Sequence, residues 1–207
     1  VEKVFREVGI GFCFAPKFHP AMRFAAPARR ELGVPTIFNI LGPLANPAKP
    51  KAAAIGVAND RMHLLMALVL SAKGVDGFVF RGDDGLDEIS LGTTTSVLTI
   101  GQGEISSALI DPTEFGIAKA PITDLVGGDA QFNASVSRAI FGGEHGAPRD
   151  AVALNAAAAI AAYKGQFAKS LSERIQDGYK DAIKAIESGA ATALLENWVT
   201  VSQRLAK

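Results

Sequence analysis

The sequence predicts an α/β fold in which a mostly parallel sheet is flanked by helices. Strand-like and helix-like periods alternate along much of the chain. Two β-rich runs, Ala53–Val57 and Phe78–Arg81, enclose the apolar helix-like segment DRMHLLMALVLSAKG. A strand, a helix and a strand in this order predict a right-handed crossover and a parallel strand pair.

Local signals bound the other predicted elements. The enclosed helix is expected to begin at Asp60 as its N-cap and to end at Gly74. A further short strand is expected at Gly11–Ala15. The segments TSVLTI and EISSALID flank GQG, which predicts an antiparallel hairpin at the edge of the sheet. Helices are predicted at four C-terminal ranges: Ala130–Phe141, Asp150–Lys164, Ser172–Ser188 and Ala191–Leu205.

Composition limits the partners of the chain. Its 207 residues are 48% hydrophobic and 20% charged, which suits a globular protein with one sizeable core. Basic and acidic residues number 21 each, so nothing in the charge favours nucleic acid or an anionic membrane, and a small polar substrate is the better expectation. Apolar runs such as LLMALVLSA are far shorter than the ~20 residues that span a bilayer. With a single cysteine, no disulfide can form within the chain, and a cytoplasmic location is expected.

The segment Phe14–Pro47 reads FAPKFHPAMRFAAPARRELGVPTIFNILGPLANP and concentrates basic and aromatic groups. A helix of roughly three to four turns is expected from Pro20 to Gly33. Pro27 lies inside it and is expected to bend it near Arg23.

Two readings of this segment stay open from the residues alone. Arg29 lies ten residues after His19 and near its helical face, so one side chain could orient a ring while the other binds a carboxylate. Alternatively, Arg29 and Arg30 offset the dipole at the helix C-terminus and remain solvated. Composition alone favours the second interpretation.

The acidic loop, Arg81–Ser90 (RGDDGLDEIS), follows an apolar strand and places four carboxylates around a glycine. The carboxyl ends of parallel strands are where α/β proteins bind ligands. Carboxylate oxygens there suit Mg²⁺, which usually takes one or two carboxylates together with water and substrate phosphate. A solvated turn is an equally good explanation, because Asp-Asp-Gly is ordinary turn chemistry.

Other motifs favour structural roles. The segment GGDAQFNA, Gly127–Ala134, resembles a phosphate loop, but Asp129 suits an N-cap and no Lys-Ser/Thr pair follows. His63 and His145 have no carboxylate at metal-ligand spacing, so each is expected to be packed or at the surface. The chain shows no nucleophile with an evident base, so no catalytic residue is assigned and covalent catalysis is disfavoured.

An ordered series of motifs resembles anthranilate phosphoribosyltransferase along the whole chain. The series runs FAPKFHPAMR, RRELG, TIFN, LGPLANP, DGLDE, GGDAQFNA and RDAVALNAAAAI. The resemblance implies an enzyme of the nucleoside-phosphorylase/phosphoribosyltransferase-like fold, with part of a helical domain. Such an enzyme transfers a phosphoribosyl group from phosphoribosyl pyrophosphate to the amine of anthranilate in tryptophan biosynthesis. A homodimer is also implied.

The resemblance also implies roles for individual residues. Asp87 and Glu88 are the Mg²⁺ ligands it singles out, which leaves Asp83 and Asp84 as turn formers. Arg29 pairs with the carboxylate of anthranilate. Four residues are expected to wall the channel of the aromatic ring: Pro16, His19, Met22 and Pro43.

The chain departs from the family pattern in two respects. Pro35 stands before TIFN, where the family often has Arg. The family's GTGGD loop, its Asn-Ser-Thr segment and its His-Gly pair are absent, and all three lie upstream of the first matching residue. We therefore expect a C-terminal portion of a longer enzyme, inactive alone, with an unpaired sheet edge and a tendency to self-associate. Expected domains are a truncated start of the α/β domain (1–16), a helical-domain segment and hinge (17–47), and the α/β domain (48–207).

Two alternatives to this function stay open. The first is a pyrimidine nucleoside phosphorylase of the same fold, which would differ in its ligand. The second is a non-catalytic oligomerisation remnant, which would differ by lacking activity.

Overall fold

The chain forms two compact units in a computed structural model, which describes residues 1–34, 36 and 38–206. One unit comprises residues 1–50 and 194–207, and the other comprises residues 51–193. The domain boundaries expected from the resemblance concern the complete enzyme and stay a prediction.

The second unit is built on a four-stranded sheet with the strand order β1-β2-β3-β4. The strands are β1 Ala52–Gly56, β2 Asp76–Gly82, β3 Thr95–Gly101 and β4 Glu104–Ile110. Among the described residues, β1 pairs only with β2 and is parallel to it, whereas the β2–β3 and β3–β4 pairs are antiparallel. The α/β class and the edge hairpin are confirmed. Parallel pairs are nevertheless the minority here, because the chain reaches β3 and β4 without crossover helices.

The helix α5, Asp60–Ala72, connects β1 to β2 as predicted, but its N-cap is Asn59 and not Asp60. Asn59 is extended, and its Oδ1 accepts a 3.2 Å hydrogen bond from the Met62 amide, whereas Asp60 already has helical geometry. Within α5, His63 is buried and its Nε2 donates to the Val79 carbonyl over 2.9 Å. His63 is therefore a packed histidine that ties α5 to β2.

The core of this unit lies between the sheet and the alanine-rich helix α7, Ala147–Lys164. Ala157 and Ala158 of α7 are at most 1% exposed and share one buried cluster with Phe78 and Phe80 of β2. Against the other side of α7 packs α8, Leu171–Glu187, where Gly178 approaches the Ala157 carbonyl so closely that an added Cβ would lie 2.4 Å from its oxygen. The helix predicted at Asp150–Lys164 is confirmed, and it begins three residues earlier than predicted.

The first unit differs more from the sequence prediction. The expected strand at Gly11–Ala15 is wrong: residues 11–14 are irregular and the helix α2, Ala15–Phe18, follows. The expected single helix after Pro20 is also wrong, because a 3₁₀-helix, Pro20–Phe24, is followed by a separate α3, Ala26–Leu32. Pro27 has no N–H to donate, so it cannot continue a helix from Pro20 and instead occupies the first turn of α3.

The four C-terminal helices agree with their predicted ranges to within three residues, and they include α6, Ala130–Phe141, and α9, Ala190–Ala206, besides α7 and α8. The first unit also contains α1, Glu2–Val8, and α4, Phe38–Leu44. Within residues 1–34, 36 and 38–206, the helices are all too short or too polar to cross a membrane.

We predict that Gly178→Ala destabilises the protein by about 1–3 kcal/mol, because the new methyl group overlaps the Ala157 carbonyl and forces α7 and α8 apart. Ordinarily the same change in a helix is stabilising by roughly 0.5–1 kcal/mol. Urea unfolding measures the difference. Gly42→Ala is the matched control, since Gly42 is also helical and an added Cβ there meets nothing within 4 Å. Equal effects of the two variants would contradict the close packing.

Candidate functional site

Two of the four carboxylates of the acidic loop serve the turn itself. Asp84 accepts hydrogen bonds from the Leu86 amide (3.2 Å) and from the Ser90 hydroxyl (2.6 Å). Asp83 accepts one from the Thr94 hydroxyl. Gly85 has a φ of 91°, a conformation that glycine adopts without steric cost. The structure thus confirms Asp83 and Asp84 as turn formers.

The other two carboxylates, those of Asp87 and Glu88, are exposed to solvent. They are followed at once by Ile89 and Ser90, which are only 2% and 1% exposed. Two adjacent acidic side chains of the loop are therefore exposed, and the residues that follow them directly are buried.

The main chain within this pair and directly after it is held by close contacts. At the carboxyl end of β1, Gly56 lies so near Asp87 that an added Cβ would be 1.5 Å from the Asp87 carbonyl oxygen. Beyond the pair, the Ile89 amide donates to Asn155 Oδ1 over 2.8 Å and the Ile89 carbonyl accepts from Asn155 Nδ2 over 3.2 Å. The Ser90 amide donates to the Thr95 hydroxyl over 3.0 Å. Side chains and main chain from β1, β3 and α7 together fix this part of the loop.

The donor set suits a cation that is shared with a ligand. Within the part of the chain that the structure describes, no group of three or more His, Cys, Asp or Glu side chains is placed to hold a metal ion. Asp87 and Glu88 alone therefore offer too few ligands for a metal enclosed by protein. Two hard carboxylates fit Mg²⁺, which completes its octahedron with water and substrate phosphate.

The predicted ring-binding residues lie on short elements of the first unit. Pro16 is exposed in α2, and His19 is half-buried between α2 and the following 3₁₀-helix, which contains the half-buried Met22. The 3₁₀-helix contacts both α2 and α3. Pro43 is exposed inside α4. Their shared role in a ring channel stays a prediction.

The basic residues belong to the last turn of α3. Arg29 is half-buried and Arg30 is exposed, and the helix ends at Gly33, which has a φ of 61°. His19 lies outside α3, so the expected common helical face of His19 and Arg29 is wrong, and the break at Ala25 is the reason. Pro35, where the family often has Arg, lies outside the described residues.

The segment Gly127–Ala134 has the structural role predicted for it. Asp129 caps α6 by accepting a 2.8 Å hydrogen bond from the Phe132 amide. The side chain of Asn133 accepts from the Gly128 amide and donates to its carbonyl, both over 2.9 Å. In the same unit, the exposed His145 accepts a 2.6 Å hydrogen bond from Arg149, which is buried and also pairs with the exposed Glu187 over 2.9 Å.

Sequence reasoning missed Gly56 and Asn155 as residues that shape the acidic loop. Gly56 was only the end of an apolar run, and its neighbour Asp87 is distant along the chain. Asn155 did give a signal, because it interrupts the alanine run of α7, where a polar side chain costs free energy unless it is hydrogen-bonded.

The chain is a protein of the α/β class. One unit carries an acidic loop after its second strand, and the other unit is helical. The chain belongs to the Glycosyl transferase family, a/b domain, which it matches over residues 1–192. It is 49% identical over 206 residues to anthranilate phosphoribosyltransferase of Rhodococcus jostii (strain RHA1), covering 100% of this chain and 57% of that protein. It is 50% identical over 204 residues to the enzyme of that name from Thermobifida fusca (strain YX), covering 99% and 58%.

Solved structures agree with these similarities. Anthranilate phosphoribosyltransferase from Thermus thermophilus is 39% identical, with a TM-score of 0.85 over 97% of this chain and 58% of that one. The Saccharomyces cerevisiae enzyme in complex with 4-fluoroanthranilate is 25% identical, also with a TM-score of 0.85, over 96% and 56%. The chain therefore has the phosphoribosyltransferase-like fold that was predicted, and it spans somewhat more than half the length of these relatives.

We predict that Gly56→Ala displaces the acidic loop, because the Asp87 carbonyl occupies the space that the methyl group needs. The loss in the free energy of unfolding should be about 1–3 kcal/mol, as for other overpacked sites. Urea titration measures it, with Gly42→Ala again as the control in open space. Unchanged stability of Gly56→Ala would show that β1 and the acidic loop are not in contact.

Proposed function

We propose that this chain supplies the C-terminal portion of an anthranilate phosphoribosyltransferase. The observation that carries the proposal is the 49% identity with the Rhodococcus jostii enzyme over the entire chain. The anchored acidic loop supports it, because it offers two exposed carboxylates after a β-strand. The reaction joins phosphoribosyl pyrophosphate to the amine of anthranilate and releases pyrophosphate. A homodimer, which the resemblance implies, and a cytoplasmic location, which the single cysteine favours, accompany the proposal.

Mg²⁺ is the proposed cofactor, held by Asp87 and Glu88. A related structure supports it: the Ser121Ala variant of the Saccharomyces cerevisiae enzyme, 25% identical to this chain, is described with Mg bound. When bound together with a diphosphate, Mg²⁺ offsets the negative charge of the leaving group. The chain's own contribution is to keep the two carboxylates adjacent and at the solvent boundary, through the contacts of the loop with Gly56 and Asn155.

The proposed role of Arg29 is to orient the acceptor. Its planar guanidinium can pair with the carboxylate of anthranilate, while Pro16, His19, Met22 and Pro43 wall the aromatic ring. The amine of an aromatic acid is already unprotonated near neutral pH, so the reaction demands no strong general base. Holding the amine in line with the ribose C1 is itself a large part of the rate.

The alternatives differ in what supports them. The relatives and structures described above are anthranilate phosphoribosyltransferases, so nothing favours a pyrimidine nucleoside phosphorylase. The remnant hypothesis is decided by an assay of anthranilate and phosphoribosyl pyrophosphate turnover. The assay compares the 207-residue chain with the same chain joined to the part of the Rhodococcus jostii enzyme that it does not match.

We expect no transfer by the chain alone, because the family's phosphate-binding glycine loop is missing from it. We expect transfer by the joined protein. Full activity from the 207-residue chain would show that this chain itself contains the phosphate-binding site. A folded joined protein without activity would favour the remnant hypothesis.

In the joined protein, we predict that Arg29→Ala raises the KM for anthranilate roughly ten- to a hundredfold. A lost charge-assisted contact typically costs about 1.5–3 kcal/mol. Steady-state kinetics measure it, with Arg30→Ala as the matched control, because Arg30 is the exposed neighbour on the same helical turn. An unchanged KM for anthranilate in Arg29→Ala would show that Arg29 does not bind the carboxylate of anthranilate.

We also predict that Asp87→Asn combined with Glu88→Gln strongly raises the Mg²⁺ concentration needed for half-maximal activity of the joined protein, since neutral amides bind a hard cation more weakly than carboxylates do. The matched control is Asp83→Asn, which removes a charge from the same loop but at a carboxylate bonded to Thr94. That control should lower stability and leave the Mg²⁺ titration unchanged. If the double variant titrates like the unaltered protein, the pair belongs to the turn alone.

A further inference from the structure

We infer that Asn155 is a positioning residue for the Asp87–Glu88 pair, an inference that rests on the proposed Mg²⁺ role of those two carboxylates. Asn155 lies on α7, 66 residues after Ile89, and it is half-buried. It does not carry the reacting groups. It fixes the main chain from which the two acidic side chains extend.

The orientation of the Asn155 amide follows from its partners. The Ile89 N–H can only donate, so the acceptor at 2.8 Å must be the side-chain oxygen of Asn155. The Asn155 NH₂ group then donates to the Ile89 carbonyl at 3.2 Å and to the Ala151 carbonyl, one helical turn earlier, at 3.0 Å. One side chain thereby satisfies both main-chain groups of Ile89 and is itself held by its own helix.

The position of Ile89 makes these bonds important for the acidic pair. Ile89 directly follows Glu88 and is 2% exposed, so its main-chain groups need protein partners. Within the pair itself, the Asp87 carbonyl, which belongs to the peptide group joining Asp87 to Glu88, lies against Gly56. Gly56 and Asn155 therefore hold the main chain within the pair and directly after it, and loss of either contact lets the carboxylates move. Residues that orient metal ligands in this way typically change metal affinity roughly 10- to 100-fold when substituted.

The chain contains a matched comparison for this arrangement. Asn133 on α6 holds the main chain of Gly128 by the same two-way pair of hydrogen bonds, at 2.9 Å each. Residues 127–129 include no part of the acidic loop. Asn133→Leu therefore removes equivalent bonds and should affect stability without affecting the metal site.

The test is a Mn²⁺ titration of the 207-residue chain, followed by paramagnetic broadening of the Asp87 and Glu88 backbone amide signals in NMR spectra. We expect Asn155→Leu to raise the apparent dissociation constant for Mn²⁺ roughly 10- to 100-fold, and Asn133→Leu to leave it unchanged. Asn155→Asp keeps the acceptor for the Ile89 amide and loses the donor, so its effect should be intermediate. This variant decides the question if Asn155→Leu does not fold.

In the joined protein, the same variants should shift the Mg²⁺ concentration for half-maximal activity in the same order. The inference is overturned if the Asn155 variants bind Mn²⁺ as the unaltered chain does, or if Asn133→Leu weakens binding equally. If the unaltered chain shows no broadening at Asp87 and Glu88 and the combined Asp87→Asn and Glu88→Gln variant also leaves the Mg²⁺ titration of the joined protein unchanged, the proposed metal role fails and the inference fails with it. Selective broadening that is insensitive to Asn155 would overturn the inference alone.

Discussion

The close packing of α7 against both the sheet and α8 is the constraint on which the second unit depends. The buried face of α7 consists largely of alanines, so its main chain can approach β1 and β2 on one side and Gly178 of α8 on the other. Larger side chains would move the helix outward. Asn155 would then no longer reach Ile89, because its hydrogen bonds of 2.8 and 3.2 Å leave no margin for such a shift. The geometry of the acidic loop is in this sense a consequence of helix packing.

The same arrangement explains how an exposed loop can serve as a binding element. Exposed loops are usually mobile, and ligands bind more tightly to groups that are already in place. Here the turn is closed by Asp83 and Asp84, while buried contacts hold Ile89 and Ser90. The side chains of Asp87 and Glu88 are exposed to solvent and take no part in these turn hydrogen bonds. The loop thus separates structural carboxylates from carboxylates that are available to a ligand, although all four occur within six residues.

Local patterns predicted the elements whose stability is local. The helix ends at Gly33 and Gly74 and the hairpin between β3 and β4 followed from turn and capping chemistry. The helix prediction failed at Pro27, because a proline can either bend a helix from within or occupy the first turn of a new helix. The strand prediction failed at Gly11–Ala15, a strand-like run that forms no strand. Gly56 and Asn155 could not be assigned from the sequence, since their function depends on partners that are distant along the chain. The two structural carboxylates were separated from the two available ones only through the resemblance to a known family.

The most direct test of this account is native-state hydrogen exchange at the Ile89 amide in the unaltered 207-residue chain. Ile89 belongs to no helix or strand, yet its N–H is buried and bonded to Asn155. We expect protection comparable to that of the central strand β2, because opening this bond requires α7 to separate from the sheet. Exchange at the rate of an unstructured peptide would contradict it, since the acidic pair would then extend from a loop that is not anchored.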